Sequence, residues 1–479
     1  MRIANLGTFL RSWVYLANNW LSLIGVVLVT TATVSWLFLL PFTLRGETTH
    51  PYIGILAFLG VPALFFAGLL LIPAGMLLRR RMERQRSIPP AHFPPLNWQN
   101  RDFRRLVLFV AVTTILNLGI ASQLTYAATQ YMDSTTFCGL TCHTVMQPEY
   151  TAHQNSPHAR VECVACHIGP GASWFVRSKL SGTGQVFAVT FNTYERPIPS
   201  PVKNLRPARE TCEVCHWPAR FDPDRLVVIP HYAEDANNSA TETALMMKIG
   251  GADRSGIHGA HVGEGVHIRY AASDPTRQTI PWVEYTDRAG HTTTYLEAGT
   301  SAQAVEDLPK REMDCIDCHN RPTHTFQLPD RAMDTAMAAG RISAELPFVK
   351  KEGLALLKAG YRTRDEAERK IPAGLEQFYR ANYPAVYQQS GDSVRAAGKA
   401  LVDLYDRNVF PAMRVTWGTY PDNIGHSDFP GCFRCHDGSH TSTDGKTVTQ
   451  DCGACHNLLA VEEANPKLLT DLGVGISGH

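Results

Sequence analysis

Twelve cysteines lie in this 479-residue chain, all after residue 137, and they fall into six close pairs. Five pairs read Cys-x-x-Cys-His: Cys163/Cys166/His167, Cys212/Cys215/His216, Cys315/Cys318/His319, Cys432/Cys435/His436 and Cys452/Cys455/His456. The sixth, Cys138/Cys142/His143, has one extra residue between its cysteines. Two thiols at this spacing form thioethers to the vinyl groups of one haem, and the histidine that follows turns beneath the iron as proximal ligand. Zinc ribbons also pair cysteines, but zinc does not require a histidine directly after each second cysteine. A thiol-redox site needs one such motif beside a strand and helix pattern, not five. Small disulfide-stapled domains space their cysteines less regularly, and a chain of this size has less need of staples. The pattern therefore predicts six covalently attached haem c groups.

Six irons with one proximal histidine each call for sixth ligands, and thirteen histidines lie outside the motifs. The candidates nearest to attachment sites are His158, His324, His426 and His440. His153 and His261 come next, then His231, His258 and His267. The sequence alone does not pair them with particular haems. A reductase acting on a small oxyanion would need an open iron position, and the histidine surplus counts against it.

The haem-bearing stretch follows an apolar N-terminal region. Trp20–Phe42, Tyr52–Leu78 and Leu106–Ala128 each reach the ~20 residues that cross a ~30 Å hydrocarbon core. The first is longer than the ~7–15 apolar residues of a signal peptide and has no small-x-small cleavage site after it, so it reads as an uncleaved span. Arg79, Arg80, Arg81, Arg84, Arg86, Arg101, Arg104 and Arg105 lie between the second and third spans. The loop between the first two has only Arg45, offset by Glu47. The positive-inside rule puts the arginine-rich loop in the cytoplasm. The N-terminus is then cytoplasmic and everything after residue 128 periplasmic, in a multi-pass protein of the bacterial inner membrane. His50 and His92 fall in the membrane loops and are set aside as ligands. Residues 1–105 carry +8 and the whole chain +1, which leaves −7 for the remainder. An acidic soluble face suits redox partners and gives no sign of a nucleic-acid partner.

Two stretches lack motifs. Val266–Tyr270 and Trp282–Tyr285 alternate as strands, and a turn at Asp287–Gly290 leads to Thr292–Leu296, a β-hairpin. Residues 328–410 read as helices, with apolar positions at Leu346, Leu354, Leu356 and Leu357, then Leu375, Phe378 and Tyr379, then Leu401, Leu404 and Tyr405. Pro347, Pro384 and Pro411 mark the breaks. No nucleotide loop, nucleophile constellation or paired-carboxylate signature is present. The expected fold is a multihaem cytochrome c, mainly α with long loops, a small β-hairpin insertion and three N-terminal transmembrane helices. Its expected divisions are a membrane anchor (1–130), a trihaem domain (131–221) and a haem-free insertion with the hairpin (222–310). A fourth haem segment (311–326), a helical haem-free segment (327–415) and a C-terminal dihaem segment (416–479) follow.

From Phe137 to Phe221 the chain resembles the NapC/NirT family of membrane-anchored multihaem quinol dehydrogenases. The likeness rests on a first motif just after a membrane helix, Met146, Ser156-Pro157-His158, Val161, Cys163–His167, Lys179 and Cys212–His216. The three-span anchor and extra haems are similar to the larger ImcH-type inner-membrane cytochromes of metal-respiring bacteria. The resemblance implies oxidation of a membrane quinol, menaquinol by expectation, at the first haem. Electrons would then pass to periplasmic cytochromes or reductases. It also implies that Lys179 binds the quinol; a lysine snorkelling at the membrane surface is the alternative. Gln185 is a candidate for a further hydrogen bond. Two departures stand out. The family's first motif is Cys-x-x-Cys-His-x-Met, and the extra residue here leaves both His143 and Met146 as candidate iron ligands. The family's acid seven residues beyond the lysine is Val186 here, so the proton acceptor is unassigned. The alternative function is a haem-wire relay subunit of a larger respiratory complex without its own quinol site.

Overall fold

The computed structural model describes residues 16–17, 19–44, 59–86, 98–99, 101–141, 143–169, 171–202, 206–217, 221, 224–251 and 256–474. It divides into two units, residues 1–137 and 138–479, each with its own packing.

The N-terminal unit contains three long helices, α1 (Trp20–Leu44), α2 (Val61–Arg86) and α3 (Arg101–Asp133). Val29, Ala32 and Trp36 of α1 pack on Val61, Phe65 and Ile72 of α2, with the Trp36 and Phe65 rings stacked 5.8 Å apart. The two backbones meet at Gly25 and Gly68, where a Cβ on either residue would stand 2.7 Å from the other's carbonyl oxygen. Small residues at the crossing are how apolar helices gain contact when no water drives them together. The Ser22 hydroxyl donates to the Ile72 carbonyl at 2.8 Å, and Thr33 Oγ1 meets Asn117 Oδ1 of α3 at 2.8 Å. Among the described residues Val61–Gln85 is long and apolar enough to cross a membrane, and Trp20–Trp36 forms a shorter apolar helix. The expected second span begins at Tyr52, but residues 52–58, like Arg45, Glu47, His50 and His92, lie outside the described residues.

The C-terminal unit opens with α4 (His143–Gln154) and α5 (Ala172–Thr190). Strands β1 (Arg225–Tyr232) and β2 (Ala240–Met247) precede a single turn, α6 (Ile257–His261). Then come β3 (His267–Ala271), β4 (Trp282–Thr286), β5 (Thr292–Glu297) and β6 (Lys310–Glu312). A helical group follows: α7 (Pro329–Ala338), α8 (Val349–Lys358), α9 (Arg364–Asn382) and α10 (Pro384–Asn408). Strands β7 (His440–Ser442) and β8 (His456–Glu463) end the order of strands.

Helices α7–α10 bury Met333, Leu354, Leu357, Ile371, Leu375, Tyr379, Leu401 and Leu404 in one core. These include the stripes that the 3.6-residue period picks out. The Thr363 hydroxyl accepts the Glu366 N–H at 3.2 Å and caps α9. Pro384 opens α10, where its missing N–H costs nothing. The buried ammonium of Lys350 pairs with Asp334 at 2.5 Å, and Asp334 also accepts the Tyr232 N–H at 3.1 Å. Asn238, in the β1–β2 turn, donates to the carbonyls of Ala344 and Leu346 at 2.9 and 2.8 Å. These bonds dock the β1–β2 ribbon on the helices.

Among the described residues there are two antiparallel sheets, in strand orders β1-β2-β8 and β6-β3-β4-β5-β7. The expected hairpin is β4–β5, with Trp282 opposite Leu296 and Thr286 opposite Thr292. The sheets extend beyond a hairpin because β7 and β8 arrive from the far end of the chain. Segments 222–310 and 416–479 are thus stitched together by strand pairing.

Candidate haem-binding centre

The attachment motifs fold as short turns with a shared closure. The N–H groups of His216, His319 and His436 donate to the carbonyls of Cys212, Cys315 and Cys432, at 2.8, 2.8 and 3.1 Å. This closure brings the histidine back past its own cysteines. Among the described residues no cluster of three or more His, Cys, Asp or Glu is shaped for a bare metal ion. Cys142 and the His143 side chain lie outside the described residues, and Met146 follows His143 on α4.

The thiols differ in exposure. Cys138, Cys163, Cys212, Cys315, Cys318, Cys435 and Cys455 are half-buried, whereas Cys166, Cys215, Cys432 and Cys452 are exposed. Cys163/Cys166, Cys212/Cys215, Cys432/Cys435 and Cys452/Cys455 each pair a half-buried cysteine with an exposed one. The turn Ala208–Cys212 ends before Cys215, whose N–H donates back to the Cys212 carbonyl at 3.1 Å. Cys215 is exposed, while the Cys212 side chain faces Cys315 of the fourth motif.

Each of the five regular motifs has its histidine facing another imidazole. Ring centroids stand 6.2 Å apart for His167 and His324, 6.0 Å for His216 and His158 and 6.2 Å for His319 and His258. The last two motifs give 5.8 Å for His436 and His261 and 6.2 Å for His456 and His426. Two imidazoles on opposite sides of one iron, each with a bond of about 2 Å, have ring centres about 6 Å apart. Rotation about the nitrogen–iron axis is free, so the spread of interplanar angles from 11° to 69° is no obstacle. The residues present therefore fit bis-histidine haem.

Hydrogen bonds aim several of these rings. Nδ1 of His324 faces the Glu149 carbonyl oxygen at 3.0 Å and its carboxylate at 3.1 Å. Nδ1 of His158 meets the Pro322 carbonyl at 3.3 Å, that of His261 the Ile257 carbonyl at 2.7 Å and that of His436 the Thr449 carbonyl at 2.7 Å. A carbonyl on Nδ1 makes that nitrogen the donor and leaves the Nε2 lone pair for a metal. Burial, reinforced by the Arg321 guanidinium, pushes His324 down to about 3, so its ring is neutral, the form that ligates.

His440 and His153 are placed differently. His440 is buried with Nε2 2.6 Å from the Ile280 carbonyl and Nδ1 facing Asp437 at 3.4 Å. His153 is buried with Nε2 2.9 Å from the Val161 carbonyl and Nδ1 3.2 Å from Gln154 Nε2. Both ring nitrogens of each are engaged by protein. His231 lies 3.5 Å from Asp334 and His267 3.0 Å from Glu312. Proximity in sequence placed His258 among the last candidates, because it lies far ahead of Cys315; its further signal is the i, i+3 spacing to His261 on one turn.

Two carboxylates join the motifs. Asp317, inside the Cys315–His319 motif, accepts from the Tyr270 hydroxyl at 2.7 Å, Arg277 at 3.1 Å, Arg311 at 3.0 Å and the Asp314 N–H at 2.8 Å. Asp314 caps the same turn and accepts the Ala208 N–H at 2.7 Å, at the head of the turn carrying Cys212. Arg434, between Cys432 and Cys435, donates to the Asp317 carbonyl at 2.7 Å. Three attachment segments thus meet at one buried acidic turn.

The NapC/NirT cytochrome c family, N-terminal region, matches residues 101–198. The cytochrome c-type protein ImcH of Geobacter sulfurreducens is 41% identical over 456 residues, covering 93% of this chain and 89% of the relative. The chain belongs to the NapC/NirT-like multihaem cytochromes c. No solved structure matches it. As a member, this cytochrome carries covalently bound haem c and is a membrane-associated electron-transfer oxidoreductase. The family match takes in α3 and the first two motifs and ends before Cys212.

Lys179, half-buried, and Gln185, exposed, both lie on α5. Six residues of helix set them about 120° apart around the axis, so they do not share a face. Val186, seven residues on from Lys179, returns to the same face and is 61% exposed.

Proposed function

We propose that this cytochrome oxidises membrane quinol, menaquinol by preference, and passes the electrons through six haems to periplasmic redox partners. The observation that carries the reading is the set of five facing imidazole pairs. His167, His216, His436 and His456 would be proximal ligands, with His324, His158, His261 and His426 as their distal partners; His319 would be the proximal ligand of the fourth motif. A haem closed by two imidazoles serves as a one-electron carrier without an open substrate position. All twelve motif cysteines, the exposed Cys215 included, would anchor haems, with His143 or Met146 serving the first.

Three apolar helices would anchor the protein, with the haem unit in the periplasm and the arginine-rich loop in the cytoplasm. On α5 an apolar face of Val176, Leu180 and Phe187, continued by Phe191, stands exposed. Such a face, flanked by Arg177 and Lys179, suits the headgroup boundary of a bilayer. Lys179 there would meet the hydroxyl of a quinol and favour loss of its proton. The specific observation for the relay reading is Val186, which puts no acid on the lysine's face. Stopped-flow haem reduction by a menaquinol analogue tests the two. We expect rapid reduction, slowed in Lys179→Ala, with dithionite reduction of every haem unchanged. No reduction of the wild type by the analogue leaves the relay.

A further inference from the structure

The turn α6 carries two histidines three residues apart, and each faces a different attachment motif. The His258 ring lies 6.2 Å from that of His319 and nearly parallel to it, at 11°. The His261 ring lies 5.8 Å from that of His436. The Phe221 ring, 4.8 Å from His258, holds it in place.

The backbone fixes the turn from behind. The Ile257 N–H donates to the Lys248 carbonyl at 2.9 Å and the His258 N–H to the Ile249 carbonyl at 2.9 Å. Gly256 precedes the turn at φ +104°, where a Cβ would stand 2.8 Å from the Lys248 oxygen, so glycine alone permits this approach. Lys248 is tied in turn to the last motif, through its N–H to the Cys455 carbonyl at 2.8 Å and its ammonium to the Gly453 carbonyl at 2.6 Å. The other side is equally constrained, because Arg434 of the fifth motif grips the Asp317 carbonyl of the fourth.

We propose that His258 is the sixth ligand of the fourth haem iron, and that the single turn Ile257–His261 clamps the fourth and fifth irons as a rigid pair. The inference rests on reading the motifs as haem sites and is independent of the quinol reaction. With proximal sides joined through Arg434 and distal sides through α6, the two sites move together or not at all. That constancy is what electron exchange between neighbouring carriers needs.

The test uses full-length holoprotein carrying His258→Ala, examined by absorption and electron paramagnetic resonance with no quinol present. Haem content should stay at the wild-type value, because attachment is through cysteine. One haem equivalent should turn from low to high spin and bind carbon monoxide after reduction. His440→Ala, at a buried histidine whose nitrogens both face protein, should leave the spin state of every haem as in the wild type. A His258→Ala protein with no high-spin signal and no carbon monoxide binding beyond the wild type overturns the assignment, as does the same new high-spin signal in His440→Ala. If His258→Ala fails to accumulate, His258→Met decides: a thioether ligand should raise the midpoint potential of one haem, and an unchanged redox titration overturns the proposal. Failure of quinol reduction in the wild type leaves these spin-state results standing.

Discussion

Asp317→Ala removes the carboxylate on which the fourth attachment turn is built. The side chain is only 2% exposed. It receives a tyrosine hydroxyl, a backbone N–H and two guanidinium groups, all between 2.7 and 3.1 Å. Tyr270 is itself buried, and leaving its hydroxyl and the Asp314 N–H without an acceptor costs about 1–3 kcal/mol each. Arg277 and Arg311 are 25% and 38% exposed, so water recovers much of their loss and each pair is discounted to about 1 kcal/mol or less. The sum is about 2–8 kcal/mol, a span that contains the ~3–5 kcal/mol for breaking a buried ion pair. A urea titration followed by far-UV circular dichroism should show an earlier midpoint with little change in slope. Asp392→Ala is the control, since that carboxylate is 99% exposed. If the two variants unfold together, within about 1 kcal/mol, the carboxylate is not the structural centre claimed for it.

Lys350→Met should also destabilise, by about 3–5 kcal/mol, because it strands the Asp334 carboxylate in the helical core. Adding Asp334→Leu should restore part of that loss in the same titration, and a single variant as stable as wild type would discount the pair. Acid should loosen the soluble unit below about pH 4. Hydrogen bonds from the Lys446 ammonium and Ser442 hydroxyl hold Asp444 at about 2. Those from the Ser239 hydroxyl and N–H hold Asp235 below the ordinary 3.8. Burial pushes Asp274 up, but bonds from Thr276 and Thr279 outweigh it and leave it lowered. The unfolded chain binds these protons first, so the contribution is full above about pH 4 and is lost as the pH falls through the lowered values. Melting temperatures across pH 2–5 should fall along that limb, and a flat profile would remove the turns from the account.

What the sequence makes legible follows from how local the physics is. Haem attachment needs two thiols and an imidazole within five residues, so the five regular motifs are visible by inspection. Spacing says nothing of exposure, however, and the different settings of Cys212 and Cys215 within one motif emerge only from the fold. The helices α8–α10 declare themselves by an apolar stripe repeating every turn, and β4–β5 by alternation about a short turn. Strands β1 and β2 are harder to see. Pro230 interrupts the first, and the second ends in Ala244, Leu245, Met246 and Met247, residues that favour helix. β8, the partner of β2, begins at a motif histidine and pairs across more than 200 residues of chain. The facing histidines are least legible. His158 lies beside one motif and faces the next, His324 follows the fourth and faces the second, and His426 precedes the fifth and faces the sixth. His440 lies nearest to His436 in sequence, yet it turns inward to the Ile280 carbonyl. Which ring meets which is decided by tertiary approach, and chain proximity carries little of that information.

The closing strands also set a timetable. β8 completes the smaller sheet with a bond from the Glu462 N–H to the Thr243 hydroxyl, across 219 residues of chain, and β7 completes the larger one at its β5 edge. At synthesis rates of ~5–20 residues per second, those 219 residues take about 10–40 s to emerge. For that interval the β2 edge stands open, the β5 edge waits a shorter stretch of chain for β7, and the motifs at 163, 212 and 315 exist as nascent chain before either sheet can close over them. Long-range pairing of this kind is slow to nucleate. The last part of the chain made therefore acts as the latch, and the haem sites upstream of it have an interval for covalent chemistry before the fold locks.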